Sequence, residues 1–487
     1  MQWLRYTQAS QPVYWLQATG RVIMLTIKQR ANYSYIQDPT EHLKLIRKLS
    51  ESTKVRAPGA RFAKSFGVTW DGCYRFVSPH GRFLTGLTPL IVNTLKDLNE
   101  DVEVITPDFK IRSHQRSEVA LKGVNLYKHQ RQGANVALKR CRGVLEMATN
   151  AGKTEVAAYM ILKLCNAGKI LWLTHSLSLS DQTTKRMMKR TDISVSVCKE
   201  GRLDITGDIV VSTTQTMYKA LRSSKPKVAA RVTEFLKDIK VIFFDECQFG
   251  SAKTWMTIAE KCENAYYRYG LSGTPYTKDP VRNRRLIGVL GDTIYETTNK
   301  YMVENGYSCD VVVVSIPCNH HEYLSYTTAI SEGVDRNDKR NELIVKSIAK
   351  LEKGNIGLIL ANHIEHTKTL DRLAKANGLK SRLVYGKHSV SYRNKAIDDL
   401  QKGKLDCLIS TNIFDIGIDI PKLQWLFMAG PVQAKGRIKQ RLGRVLRIAE
   451  GKKSAVVYYI DDKGDHYLEK SAKSIRTTLT KEGFLVV

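Results

Sequence analysis

Two series of short apolar runs, separated by stretches of helical period, constrain this 487-residue chain more than any other feature. Residues 170–173, 209–213 and 241–244 belong to the first series. Residues 311–316, 356–360, 407–410 and 425–429 belong to the second. A run apolar at consecutive positions has no polar face for water, so these segments predict strands covered on both sides in parallel α/β sheets. Two series predict two tandem α/β domains, at 123–305 and 306–462. Residues 1–122 mix short strand-like pieces with helices expected near 42–51 and 88–98, so they predict a small N-terminal α+β accessory domain. The first 23 residues carry few structural signals, and Met24 is an alternative start. Residues 463–487 predict a polar, basic helical tail.

Charge narrows the partner. Lys and Arg number 77 against 47 Asp and Glu, a formal charge of +30. That excess is well beyond what solubility needs and points to a polyanion, nucleic acid first. Residues 1–122 share the bias, with 18 Lys and Arg against 10 Asp and Glu. The nine cysteines contain no C-x-x-C pair, which fits neither a zinc ribbon nor a disulfide framework and implies reduced thiols. No apolar run approaches the roughly 18 residues of a membrane span. A cytoplasmic protein is expected, without internal repeats or low-complexity linkers.

Chemistry concentrates at two strand ends. Met147-Ala148-Thr149-Asn150-Ala151-Gly152-Lys153-Thr154 follows the apolar segment 143–146 and opens a helix over 155–164. Strand, tight turn and Gly-Lys-Thr at a helix start form the context of a phosphate-binding loop, whose backbone N–H groups and helix dipole cradle phosphates. Lys153 is placed to reach the β- and γ-phosphates, and the Thr154 hydroxyl to ligate Mg²⁺. The loop departs from G-x-x-x-x-G-K-T at Met147, and Asn150 stands where many such loops carry glycine; asparagine tolerates left-handed backbone better than most residues. About 90 residues on, an apolar strand ends in Asp245-Glu246-Cys247-Gln248. Asp245 is expected to hold the metal, and Glu246 to orient and deprotonate the water attacking the γ-phosphate. Two solvated acids at a strand end would read the same way alone; the loop upstream makes an ATPase the better reading.

With these elements in order, the chain resembles a superfamily 2 helicase of the DExH type from about residue 123 to 460. Leu126-Tyr127-Lys128-His129-Gln130 resembles the Q motif, which implies adenine recognition by Tyr127 and Gln130. Ala148 to Thr154 resembles motif I, with Asn150, Ala151, Gly152, Lys153 and Thr154 lining the nucleotide. Asp245 to Gln248 resembles motif II, with glutamine for the last histidine, and Ser272-Gly273-Thr274 resembles motif III. His175 and Gln182 fall in a segment like motif Ia, Thr213 and Gln215 in one like Ib, and Asn362 and His363 in one like IV. Thr411 and Asp415-Ile416-Gly417-Ile418-Asp419 resemble motif V, with Gly417 and Asp419 toward the nucleotide. Gln440-Arg441-Leu442-Gly443-Arg444-Val445-Leu446-Arg447 fits motif VI, Q-R-x-G-R-x-x-R, at every fixed position. The resemblance implies tandem RecA-like domains, ATP and Mg²⁺ as cofactors, and Gln440, Arg444 and Arg447 acting with Lys153, Asp245 and Glu246. Planar cations neutralise transition-state charge, an effect of roughly 10³–10⁵ in rate for arginine fingers.

Within the superfamily, the chain is similar to the phage UvsW type of branch-migration helicase. Val68-Thr69-Trp70-Asp71-Gly72, followed by Tyr74-Arg75-Phe76 and Gly86-Leu87, resembles that family's N-terminal domain, and the Asp-Asp at 461–462 its segment after motif VI. The likeness implies a DNA contact at Trp70 and Arg75, and forked or branched DNA and single strands as partners. It also implies branch migration or fork regression alongside phage recombination and replication proteins, in the host cytoplasm, by a monomer. A hairpin turn with a tryptophan packed beside it explains 68–76 equally well, and Phe62, Phe66, Trp70 and Tyr74 read as core or as a stacking wedge. Basic clusters at 185–190, 219–231 and 435–447 suit a phosphate-backbone track, or solvated helix faces for the first two. Alternatives are a DExH-type RNA helicase, a duplex translocase without strand separation, and an ATP-gated DNA-binding clamp.

Overall fold

Strands buried on both faces form the centre of two parallel sheets in the computed structural model, which describes residues 24–60, 70–107, 116–199, 201–249, 253–352, 354–411, 420–452 and 454–487. The expectations for residues 1–23, Phe62, Phe66, Gly417 and Asp419 lie outside the described residues.

The N-terminal sheet contains β1 (Leu25–Gln29), β2 (Tyr33–Ile36), β5 (Arg82–Leu84) and β6 (Val102–Ile105), in the order β5-β2-β1-β6. Helices α1 (Leu43–Ser52) and α2 (Thr88–Asp97) cover it through Ile46, Leu49, Leu87, Ile91 and Leu95. A two-stranded ribbon, β3 (Val55–Arg56) with β4 (Cys73–Tyr74), sits alongside. This is the α+β unit that the first part of the chain predicts.

Seven parallel strands follow: β7 (Arg142–Met147), β8 (Ile170–Thr174), β9 (Val195–Cys198), β10 (Ile209–Thr213), β11 (Val241–Asp245), β12 (Tyr267–Ser272) and β13 (Thr293–Thr297). Their order is β13-β7-β12-β11-β8-β10-β9, every pair parallel. Helices α3 (Lys128–Arg140), α4 (Lys153–Leu164), α5 (Leu177–Arg190) and α6 (Thr214–Leu221) belong to this layer. The second sheet has β14 (Asp310–Asn319), β15 (Gly357–Leu360), β16 (Ser381–Val384), β17 (Cys407–Ser410), β18 (Trp425–Met428) and β19 (Ser454–Lys463). Its order is β14-β19-β18-β15-β17-β16, again all parallel. Each strand foreseen from an apolar run is present. Strand β12 was not foreseen, because Arg268 interrupts the apolar pattern and yet is 1% exposed.

Arg268 explains how the N-terminal unit attaches. Its guanidinium donates to the carbonyls of Ala259, Cys262 and Ala265, and to the Asn32 side-chain oxygen at the tip between β1 and β2. Tyr33 donates to Glu260 at 2.9 Å, and Arg142 to the Ala31 carbonyl at 2.5 Å. These contacts lie at the start of β7 and β12, the sheet end away from the phosphate loop.

Residues 463–487 do not form a separate polar tail. Helix α7 (Lys435–Val445) packs against α8 (His466–Lys481), and Ala472, Ile475, Leu479 and Phe484 join the core of the second sheet. The basic positions of α8 mask an apolar stripe at helical spacing. Beyond it, Val313 N donates to the Leu485 carbonyl, Ser315 N to the Val487 carbonyl and Val487 N to the Val313 carbonyl, so residues 485–487 extend that sheet along the edge of β14.

Candidate active site at the carboxyl ends of the first sheet

In a parallel sheet every strand delivers its last residue to one edge, where ligands bind in open α/β folds. Here β7 runs into the loop 148–152, β11 ends at Asp245, β12 at Ser272, β8 leads to His175 and β10 ends at Thr213. The sequence places these residues up to 124 positions apart; the topology brings them to one rim.

The loop is built around two left-handed residues, Asn150 at φ 74° and Gly152 at φ 78°. A Cβ on Gly152 would strike the Gln130 amide nitrogen, so glycine is required there by packing as well as by φ. Gln130 and His129 both hold the loop, meeting the Ala151 carbonyl at 3.0 and 3.2 Å, while Gln130 Oε1 accepts from Tyr127 N. Lys153 and Thr154 then open α4, whose first N–H groups have no intrahelical partner. Alternating left- and right-handed residues before a helix start make an anion-binding concavity. Lys153 Nζ rests on the Met147 carbonyl at 3.3 Å, inside that concavity.

At the end of β11, Glu246 also has left-handed backbone, φ 49°, without being glycine. Its N–H donates to Asp245 Oδ1 at 3.0 Å. Gln248 donates to Glu246 Oε2 at 2.7 Å and accepts from Ser272 Oγ at 2.6 Å, and Ser272 Oγ accepts from Thr274 N at 2.8 Å. The acid is thus tied to the end of β12 through glutamine at the fourth motif II position. Burial, then Glu246, push the Asp245 carboxyl above the carboxylate range, and Lys153 pulls it back. An acid so placed favours a cation beside it. A hydroxyl from Thr154 with a carboxylate from Asp245 is a hard oxygen donor set, and the loop is shaped for phosphates, so the residues fit a nucleotide with Mg²⁺.

The second sheet contributes from across a cleft. Gln440, Arg441 and Arg444 lie on α7, with Arg447 just beyond it. Asn150 Nδ2 donates to the Gly443 carbonyl at 2.7 Å, and Arg447 Nε donates to Asn150 Oδ1 at 2.8 Å. Gly443 lies so close that a Cβ there would overlap the Thr149 side chain. Burial, then nearby Arg186, push the Arg447 guanidinium down to about 10. Lys439 pairs with Glu482 at 2.6 Å, and Glu482 accepts from Asn299 at 2.6 Å, which ties α7 to the segment joining the sheets.

The other candidates are placed less centrally. His175 stacks on Phe249, centroids 4.5 Å apart, and burial holds its imidazole below its ordinary value. Gln182 and Gln215 are exposed on α5 and α6. The Thr213 hydroxyl caps α6 by accepting from Thr216 N at 3.1 Å. Thr411 follows β17; Asn362 donates to the Pro431 carbonyl at 2.8 Å; His363 meets Asp335 at 2.6 Å. Trp70 donates to the Cys73 carbonyl, and Arg75 pairs with Asp71 and Glu51, so both are held by partners in their own unit. Sequence reasoning missed Tyr301 and Tyr307, which gather with Tyr127 and His129 next to Gln130. Their only signal is aromatic residues in the interdomain segment, which has no fixed spacing from Tyr127.

Residues 108–277 match the family described as "Type III restriction enzyme, res subunit", and 338–449 match "Helicase conserved C-terminal domain". The ATP-dependent DNA helicase UvsW of Enterobacteria phage T4 is 24% identical, over 83% of this chain and 84% of its own length. The chain belongs to the superfamily 2 helicases, related to UvsW. This helicase is also 23% identical to a protein named helicase 22 of a Sulfolobus islandicus filamentous virus, over 92% of the chain and 81% of that protein. Two solved structures share the helicase fold. The type ISP restriction-modification enzyme LlaBIII bound to DNA has TM-score 0.57 and 16% identity, covering 74% of this chain and 30% of that one. Dbp5 of S. cerevisiae bound to RNA and ADP BeF3 has TM-score 0.51 and 17% identity, covering 74% and 94%.

Proposed function

We propose that the chain is an ATP-dependent DNA helicase or translocase that unwinds and remodels forked or branched DNA, in phage recombination, replication and repair. The observation that carries the reading is the convergence of the phosphate loop, the Asp245–Glu246 pair and Arg447 on one interdomain cleft. The backbone of 150–154 cradles the polyphosphate, Lys153 neutralises its far end, and Glu246 orients and deprotonates water. Thr154 and Asp245 would hold Mg²⁺, which would neutralise charge developing on the phosphates. Arg444 and Arg447 sense the nucleotide from the second domain, so binding draws the sheets together and hydrolysis lets them part. Alternating grip on a phosphate backbone then moves the chain along a strand, through residues such as Gln182, Gln215, His175 and Thr411.

A nucleic-acid substrate is supported by the net charge of +30, and DNA in particular by the relationship to a protein named as a DNA helicase. The fold neighbours include both a DNA-bound and an RNA-bound protein, so substrate choice rests on assay. The test is ATP hydrolysis at one salt concentration with no nucleic acid, single-stranded DNA, duplex, a model fork and RNA. Strongest stimulation by the fork supports branch remodelling; stimulation by RNA alone replaces it with an RNA helicase, and absence of hydrolysis with a clamp. Lys153→Ala is expected to abolish the stimulated hydrolysis while leaving low-salt DNA binding within about twofold, because backbone contacts to DNA do not involve this side chain. Turnover retained in a filter-binding-matched assay would remove the loop from the mechanism.

A further inference from the structure

Asn150 occupies a backbone site where glycine is least strained, and its side chain bonds through both amide atoms. Its amide oxygen accepts from Arg447 Nε at 2.8 Å, and its amide nitrogen donates to the Gly443 carbonyl at 2.7 Å. Both partners belong to the second sheet's unit, whereas Asn150 belongs to the phosphate loop of the first. Among side chains short enough to sit at this turn, an amide accepts from a guanidinium on one atom and donates to a carbonyl from another. Aspartate would accept from Arg447 but repel the carbonyl, serine is a carbon shorter, and glycine would do neither. Gly443 completes the contact, because any side chain there would overlap Thr149.

We propose that Asn150 is a positioning residue for Arg447: it holds the guanidinium by Nε beside the phosphate loop. The inference rests on the ATPase reading above and adds to it a role for a loop residue in aiming the second domain's arginine. An arginine held on one edge loses side-chain freedom before the reaction, so less ordering remains to be done in the transition state. The same bridge registers α7 on the loop, which couples the aim of Arg447 to closure of the cleft.

The test compares wild type, Asn150→Gly, Arg447→Ala and the double variant in nucleic-acid-stimulated hydrolysis. Glycine suits φ 74°, so Asn150→Gly is expected to fold and to keep the loop shape. Expected is a fall in kcat of roughly ten- to hundredfold with KM for ATP changed by less than about twofold, since misplacement by about 1 Å can cost that much. In the Arg447→Ala background the same substitution is expected to change kcat by less than about twofold, the signature of two residues acting through one contact. An unchanged kcat, a rise in KM alone, or effects that multiply would each overturn the proposal. A second readout avoids turnover: the distance between fluorophores on the two sheet-bearing units, without nucleotide, is expected to lengthen or broaden in Asn150→Gly. An unchanged distribution overturns the bridge itself. Failure of wild type to hydrolyse ATP with any nucleic acid would instead overturn the ATPase reading.

Discussion

Glu246→Gln is expected to lower nucleic-acid-stimulated hydrolysis by roughly 10²–10⁴-fold while leaving ATP binding nearly intact. Glutamine preserves shape and removes only the capacity to take a proton, so the loss isolates proton transfer from positioning. The geometry is specific to such a role. Left-handed backbone at a non-glycine residue costs on the order of 1–3 kcal/mol, and it persists where neighbouring structure over-determines it. Here Asp245 accepts the Glu246 N–H, and Gln248 holds the carboxylate from the other side, itself tied to Ser272. Strain of this kind, at the end of a buried strand and beside an acid driven up by burial, points to function more directly than the residue type does. Single-turnover phosphate release, with nucleotide binding measured in parallel, checks the claim. The variant is also expected to remain on DNA with ATP bound, because the step that reopens the cleft is blocked. Normal turnover would take Glu246 out of the water-activating role.

Asp462→Asn is expected to destabilise the second sheet's unit by about 3–5 kcal/mol, the scale of breaking a buried ion pair by removing one partner. Asp462 is 3% exposed and receives both sides of the Arg340 guanidinium, at 2.8 and 3.0 Å, plus His320 at 2.8 Å. Arg340 also donates to the Ala429 carbonyl, so the network joins β14, β18, β19 and the chain before β15. Cys318 lies in the same cluster, but Arg340 already satisfies the carboxylate as its cation. Neighbouring Asp461 pairs with Arg476, whose side chain is half exposed, and Asp461→Asn is expected to cost less than about 1 kcal/mol. Chemical denaturation of the two variants side by side is the check; equal effects would show that the network is dispensable.

The same network has a pH signature. Burial alone would raise Asp462, but Arg340 and His320 outweigh it and hold the carboxyl below 3.8. Its contribution is therefore present above that value and lost as pH falls through the lower folded value. For His320, burial opposes charge, but the bonds to Asp462 and Cys318 prevail and raise it from 6.5 to about 9. That contribution is full below 6.5 and is lost as pH rises toward and through about 9. In wild type the unit is expected to weaken at both ends of this window, and in Asp462→Asn the alkaline arm is expected to flatten.

Much of this architecture is legible in one dimension because its causes are local. A strand buried on both faces must be apolar at consecutive positions, which is why residues 170–174 and 407–410 announce themselves. A phosphate loop must turn sharply into a helix start, which is why Gly152-Lys153-Thr154 is recognisable, and Q-R-x-G-R-x-x-R is a contiguous run over the end of one helix and the two residues after it. Residues whose partners lie in another element carry no such mark. Arg268 reads as a polar interruption and is a buried anchor for the N-terminal unit; α8 reads as a basic tail and is core. Tyr307 reads as a linker residue and stands at Tyr127.

The chain's order of apolar and polar residues by itself determined two parallel-sheet units and the chemistry at their carboxyl ends, because burial and turn formation act on neighbours in sequence. Only the tertiary structure decided which side chains meet across the cleft. The pairing of Asn150 with Arg447 and Gly443 spans almost 300 residues and depends on how two sheets pack, a relation that no local pattern encodes.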